Sequence, residues 1–203
     1  YGSVRNSIVL HNAADEALFS SNEKKDDNLI IFLGNLNRFK DSRGINEIVS
    51  WFSDNYLKEY FKLEIIGGSI LDCENLDLLI KHLGLSHYIK TSPWVSRKIA
   101  AEKLSRSKIG LLLNTSKNKH SYFHTSPLKY FEYLMSGLTV VAVDFPSHRT
   151  LPMNENIIFF ESNNKNEFIN ALKKVNDSFY LTKSERYSIS LNYRVEKLIN
   201  FIF

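Results

Sequence analysis

Several short stretches of this chain combine residue types suited to holding a phosphorylated, hydroxylated ligand. The richest is Ser126-Pro127-Leu128-Lys129, with Glu132 behind it. Ser126 suits a helix N-cap and Pro127 a first helical position, since proline's fixed φ fits there and its missing N–H would be an orphan anyway. The amides of Leu128 and Lys129 then point outward, and a helix start of this kind attracts anions through its N–H groups and its dipole. Glu132 falls further into the helix, where a carboxylate facing the same ligand can accept two hydrogen bonds from a vicinal diol such as ribose. A second stretch, from Gly34 and Asn35 to Arg43-Gly44, offers a glycine for close approach and then three cations, Arg38, Lys40 and Arg43. Its alternative is a solvated charged loop. In Ile66-Gly67-Gly68-Ser69 the paired glycines either let backbone approach a ligand or make a tight turn. In Thr91-Ser92-Pro93-Trp94-Val95-Ser96, Trp94 either stacks on a base or packs as an ordinary aromatic. His120 and His124 are spaced i, i+4, but a third ligand at suitable spacing is missing, so no metal site is expected.

Such residues need elements that bring their loops to one edge. From Leu29 onward, short apolar runs alternate with helical stretches, the pattern of repeated βα units and a parallel sheet. Strands are predicted over 29–33, 63–66, 88–91, 109–113, 139–143 and 157–160. Helices are predicted over 45–60, 71–83, 96–107, 127–136 and 166–175. Gly137 ends the helix that carries Glu132, and the apolar run that follows reads as a central parallel strand. In an open parallel sheet, ligands bind beyond the carboxyl ends of the strands near the switch in strand order. The Gly34, Gly67 and Trp94 loops all end at that edge. Leu191, Val195, Leu198 and Ile202 recur at helical spacing, so the 184–203 stretch should form a helix lying on something apolar.

Composition narrows the classes. At 203 residues the chain can bury a full core. Its formal charge of +4 comes without a dense Lys/Arg run, which excludes a nucleic-acid footprint and suits an anionic small ligand or a loose membrane contact. Cys73 is the single cysteine, so no disulfide framework exists and a reducing, cytoplasmic setting is expected, at most at the inner face of a membrane. No apolar run approaches the ~18 residues of a transmembrane helix. No G-x-G-x-x-G fingerprint of the NAD type occurs. Asn-x-Ser at 114–116 and 176–178 match glycosylation acceptors but are set aside, because cysteine poverty argues against secretion. The chain begins at Tyr1 rather than methionine and is read as a piece of a longer protein.

Residues 126–142, Ser-Pro-Leu-Lys-Tyr-Phe-Glu-Tyr through Gly137 to Val140-Val141-Ala142, resemble the donor-binding signature of retaining GT-B glycosyltransferases of the family 4 (group 1) type, in the variant S-P-L-K-x-F-E-Y-x-x-x-G-x-x-V-V-A. Val9, Asn12, Asp15 and Phe19 resemble the connector that leads into the C-terminal domain of these enzymes. The resemblance implies a Rossmann-like α/β sheet flanked by helices, the C-terminal half of a GT-B fold. Residues 1–28 would be connector, 29–183 the nucleotide-sugar domain, and 184–203 a helix packing back on the domain or on the absent N-terminal half. By position, Leu128 and Lys129 bind the diphosphate and Glu132 the ribose, while Trp94 and Val95 pack against the base. Arg43-Gly44 matches the K-G end of the family's G-R-L-x-x-x-K-G loop. Asn35 stands where that loop has arginine, so either Arg38 or Lys40 supplies the charge or the pyrophosphate is held more weakly. His124 lies where many members carry the first glutamate of an E-x7-E pair; an imidazole there can bond a sugar hydroxyl without supplying fixed negative charge. Ser121, Tyr122 and Phe123 either line the same pocket or only pack the loop. The implied function is transfer of a sugar from a nucleoside-diphosphate sugar to a hydroxyl of a bacterial surface glycan or lipid-linked acceptor, without metal. Arg43, Lys129 and His124 are the implied catalytic groups. The alternatives are a non-catalytic nucleotide- or glycan-binding module and a GT-B-fold sugar-nucleotide epimerase.

Overall fold

Short, mostly apolar segments become six strands of a single sheet in the computed structural model, which describes residues 7–19, 24–37, 42–175 and 181–203. In chain order the elements are α1 (Glu16–Phe19), β1 (Asp26–Leu33), α2 (Ile45–Trp51), α3 (Asn55–Tyr60), β2 (Lys62–Ile66), α4 (Ile70–His82), β3 (Ile89–Ser92), α5 (Arg97–Arg106) and β4 (Ser107–Leu112). There follow α6 (Lys119–Phe123), α7 (Leu128–Met135), β5 (Thr139–Val143), α8 (Pro146–Arg149), β6 (Ile157–Phe160), α9 (Lys165–Lys173), α10 (Lys183–Ser188) and α11 (Leu191–Ile202). All neighbouring strands pair in parallel, in the order β3-β2-β1-β4-β5-β6. Successive crossovers therefore run outward from β1 to β3, then return to β4 and run outward the other way. The order reverses between β1 and β4, which is where a crevice opens in this architecture.

The inner strands are apolar because both faces are covered: every residue of β4 and β5 is buried. One core packs α2, α3, α4 and α9 on the first face, through residues such as Ile48, Leu57, Leu76 and Phe168. The other packs α1, α5 and α7 on the second, through Phe19, Leu104, Tyr130 and Tyr133. The expected strands are all present, as is the α/β Rossmann-like class.

Two predicted helices are broken. The 45–60 stretch divides into α2 and α3, because the Asp54 carboxylate accepts the Tyr56 N–H and so caps a new helix. The Lys165 ammonium donates to the same carboxylate at 3.0 Å and holds its pKa below the usual range. The C-terminal stretch divides at Ile189-Ser190. Ile189 is buried and its carbonyl accepts the Ala14 N–H, while the Ala14 carbonyl accepts the Leu191 N–H. Ser190 then caps α11 through its side chain. The apolar stripe of α11 is where periodicity placed it, yet Leu191, Val195, Leu198 and Ile202 all remain exposed among the described residues. Among those residues, no helix is long and apolar enough to cross a membrane. Asn114 is buried and donates its amide to the Ser121 carbonyl, so it is closed to glycosylation, while the 176–178 match lies outside the described residues.

Candidate functional site

The crevice is shaped by three glycines, of which Gly67 and Gly110 make approaches that a Cβ would block. β1 ends at Leu33 and the chain turns at Gly34, whose N–H donates to the Ile66 carbonyl at 2.9 Å. A Cβ on Gly34 would lie 3.0 Å from the Lys129 Nζ, so the bare backbone lets the Lys129 side chain reach from α7 across the end of β1. There its ammonium sits 4.2 Å from the centre of the Phe32 ring. A Cβ on Gly67 would fall 2.0 Å from the Gly34 carbonyl oxygen, which fixes how tightly β2 follows β1 at the crevice floor. Gly110 in β4 makes room for the Tyr133 ring, which a Cβ would approach to 2.5 Å. That room lets α7 settle onto the sheet, and the buried Tyr133 hydroxyl accepts the Leu33 N–H at 2.8 Å. The helix bearing Glu132 is thereby pinned to the end of β1, just before Gly34.

The start of α7 differs from the sequence expectation. Pro127 is the N-cap residue, with extended backbone, and no side chain caps the helix. Ser126 instead bonds the segment before α1: its Oγ accepts the Asn12 N–H at 3.2 Å and its carbonyl accepts the Asn12 side-chain amide. Proline as N-cap leaves Ser126 one residue too early to cap, and Asn12 takes up its polar atoms.

The resulting cleft has a volume of about 620 Å³, within the range of small-molecule sites. Gly34 and Arg43 bound it from the β1 side, Trp94, Val95 and Arg97 from the loop after β3 and the start of α5, and Ser126 to Lys129 and Glu132 from α7. Phe19, Leu33, Ala100, His120 and Thr125 complete the wall. Glu132 is buried, and burial pushes its carboxyl pKa up, while Arg97 and Lys129 pull it back down. The nearest Arg97 nitrogen lies 3.9 Å from the Glu132 Oε1. Arg43 is buried in a left-handed backbone conformation, φ 60°, and its guanidinium donates to the carbonyls of Asn35 and Leu113. It thus ties the β1 loop to the end of β4 while presenting its charge at the crevice. His148, fully buried after β5, directs Nδ1 at the Val143 carbonyl at 2.8 Å, so Nδ1 carries the proton. Burial, reinforced by Lys129 and Arg43, lowers its pKa to about 4, so the ring is neutral at pH 7. Three cationic side chains and one buried carboxylate around an uncapped helix start form a site suited to a diphosphate next to a diol.

The residues singled out by sequence separate clearly. Gly34, Arg43, Trp94, Val95, Ser126, Pro127, Leu128, Lys129 and Glu132 all line the cleft. Gly67 and Gly68 do not: both are buried, and Gly68 abuts Leu36 and Asp72, so their freedom serves backbone packing rather than ligand approach. Asn35 is exposed and contributes its carbonyl to Arg43. His124 forms the C-cap of α6 and is not among the cleft-lining residues; His120, one turn earlier, takes that place. Ser121 and Tyr122 pack the loop, Tyr122 against Phe145 with ring centres 4.9 Å apart. Arg38 and Lys40 lie outside the described residues. Sequence reasoning overlooked Arg97, although Arg97-Lys98 directly after the Ser96 N-cap is an unusual placement of cations at a helix start.

Residues 14–187 match the sequence profile described as glycosyl transferases group 1. The chain belongs to this family. No curated protein matches it significantly. Solved structures with the same fold include the sucrose-phosphate synthase of Thermosynechococcus elongatus, at a TM-score of 0.71 and 15% identity over 94% of this chain and 50% of that one. HepE of Anabaena, solved in complex with UDP and glucose, gives a TM-score of 0.65 at 10% identity over 94% of this chain and 55% of that one. The C-terminal domain of the group 1 family protein LpcC from Francisella tularensis gives 0.60 at 15% identity over 93% and 98%. At such identities the likeness shows the fold, and this group 1 chain spans about half the length of the first two enzymes.

Proposed function

We propose that this chain is the donor-binding half of a glycosyltransferase that moves a sugar from a nucleoside-diphosphate sugar to a hydroxyl acceptor. The observation that carries the reading is the convergence, at the β1/β4 switch, of the uncapped α7 start, the buried Glu132 and the exposed Trp94 in one cleft. Family membership supports the activity. The match to LpcC, a C-terminal domain covered almost whole, supports assignment to the C-terminal half of a GT-B enzyme of the family 4 type. On this reading the Glu132 carboxylate takes the ribose hydroxyls, Trp94 and Val95 hold the base, and the first turn of α7 receives the diphosphate. Arg43 and Lys129 bring positive charge to where negative charge develops as the diphosphate leaves, the largest demand of the reaction. The transfer is assigned retention of anomeric configuration on the resemblance of residues 126–142 alone. The acceptor, a glycan or a lipid-linked glycan, would bind across a cleft shared with the other half, and the exposed stripe of α11 would seat on that half.

The test is calorimetric titration of the chain with UDP, GDP and their sugar conjugates, followed by a transfer assay with the full-length protein and a radiolabelled donor. Binding of at least one nucleotide, with transfer only when the other half is present, is expected. Failure of every nucleotide diphosphate to bind would overturn the reading.

A further inference from the structure

Arg97 and Glu132 approach each other in the cleft from different helices, α5 and α7. Arg97 is the first residue of α5 and Lys98 the second, and the first turn of that helix contains no acidic residue. A helix start carries partial positive charge, so cations there sit against the local field. Departures from such local preferences concentrate at functional positions. The Arg97 side chain is 60% exposed, whereas that of Glu132 is 9% exposed. An exposed arginine thus ends beside a carboxylate that burial alone would drive toward its neutral form. The guanidinium also lies 5.6 Å from the centre of the Phe19 ring, which restricts where the charge can go.

We propose that Arg97 is a positioning residue for donor recognition: from the start of α5 it balances the charge of Glu132 and fixes the direction of that carboxylate, so that both of its oxygens can accept hydroxyls of the donor's ribose. The inference rests on the ribose role proposed for Glu132. Lys129 also favours the charged form of Glu132, but among the described residues Arg97 is the cation that reaches within 4 Å of the carboxylate. Lys129 comes from the same helix with its ammonium drawn over the Phe32 ring, Arg43 is held by the Asn35 and Leu113 carbonyls, and His120 stands at the rim. The Tyr133 hydroxyl is occupied by the Leu33 N–H. Arg97 is therefore the charge that can be removed without dismantling the crevice.

The measurement is the ratio of affinities for UDP and 2′-deoxy-UDP, with GDP and 2′-deoxy-GDP in parallel, across pH 5 to 9 on the 203-residue chain. Titration of the phosphates cancels in each ratio, leaving the contribution of the 2′-hydroxyl. In the unaltered chain the ratio should exceed one and fall as acid neutralises Glu132. In Arg97→Gln the midpoint of that fall should move up by about one pH unit, with a loss of discrimination of about threefold halfway between the two midpoints. Arg97→Lys should restore most of the original profile. A profile unchanged in Arg97→Gln, with folding verified by circular dichroism, overturns the inference and leaves the ribose role of Glu132 standing. A ratio of one in the unaltered chain, indifferent to Glu132→Gln, overturns the ribose role and the inference together.

Discussion

Replacing Glu132 by Gln should make the chain more stable and a worse nucleotide binder. The substitution keeps the shape of the side chain and removes a charge that is buried, lies 3.9 Å from its nearest cationic partner, and receives no hydrogen bond from the described side chains. Burial raises the carboxyl pKa in the fold. The ionised form thus weakens folding at neutral pH, and the group's favourable contribution is present at low pH and lost as pH rises through its folded pKa. Relief of that burden should bring on the order of 1 kcal/mol, or about 2–4 °C in Tm for a chain of this size. The gap between variant and unaltered chain should close on acidification, although both lose stability there as Asp54, Asp72 and Asp144 are protonated. Those carboxylates have lowered pKa values, held down mainly by the Lys165, Ser69 and Arg149 hydrogen bonds respectively. Binding moves the other way. Two charge-assisted bonds to the diol become neutral ones, and after partial compensation by water the loss should be about 10- to 100-fold in Kd. Thermal melts at pH 5 and pH 8, with calorimetric titration of UDP and GDP, measure both effects. Unchanged affinity in a folded variant would remove the ribose assignment, and a lower Tm at pH 8 would show that the carboxylate is structural.

Gly67→Ala should destabilise by about 3 kcal/mol or more, because the new Cβ would sit 2.0 Å from the Gly34 carbonyl oxygen at a φ of +130°; a urea midpoint close to that of the unaltered chain would contradict the packing described for the crevice floor. Arg43→Ala should weaken UDP more than uridine, and should also cost about 1–3 kcal/mol of stability because the Asn35 and Leu113 carbonyls lose their donor. Equal loss for both ligands would make Arg43 purely structural. Transfer by the full-length protein should persist in excess EDTA if cationic side chains and helix amides meet the leaving diphosphate; activity abolished by EDTA and restored by Mn²⁺ would refute that mechanism.

What could be read in the sequence followed from how local each signal is. Residues 139–143 announce a buried strand and the 126–137 stretch a helix, because periodicity, Pro127 and Gly137 act within a few positions. The resemblance across 126–142 then placed Leu128, Lys129 and Glu132, and the cleft gathers all three. Gly67 shows where local reading stops. Its type signalled a close approach, but only the fold reveals that the approaching group is the Gly34 backbone rather than a ligand. The breaks at Asp54 and Ile189 have a similar origin, since a cap joined to Lys165 and a pairing with Ala14 connect positions far apart in the chain. The exchange of His124 for His120 on the cleft wall depends on α6, a helix of five residues whose apolar pattern is too short to read. Arg97 is the most instructive omission. Its significance lies in a neighbour 35 positions away, and the sequence held only its violation of the helix-dipole preference. A cation after an N-cap, like a glycine in a strand, is a question the sequence poses and the packing answers: here the answer is a buried carboxylate whose charge has few other sources of support.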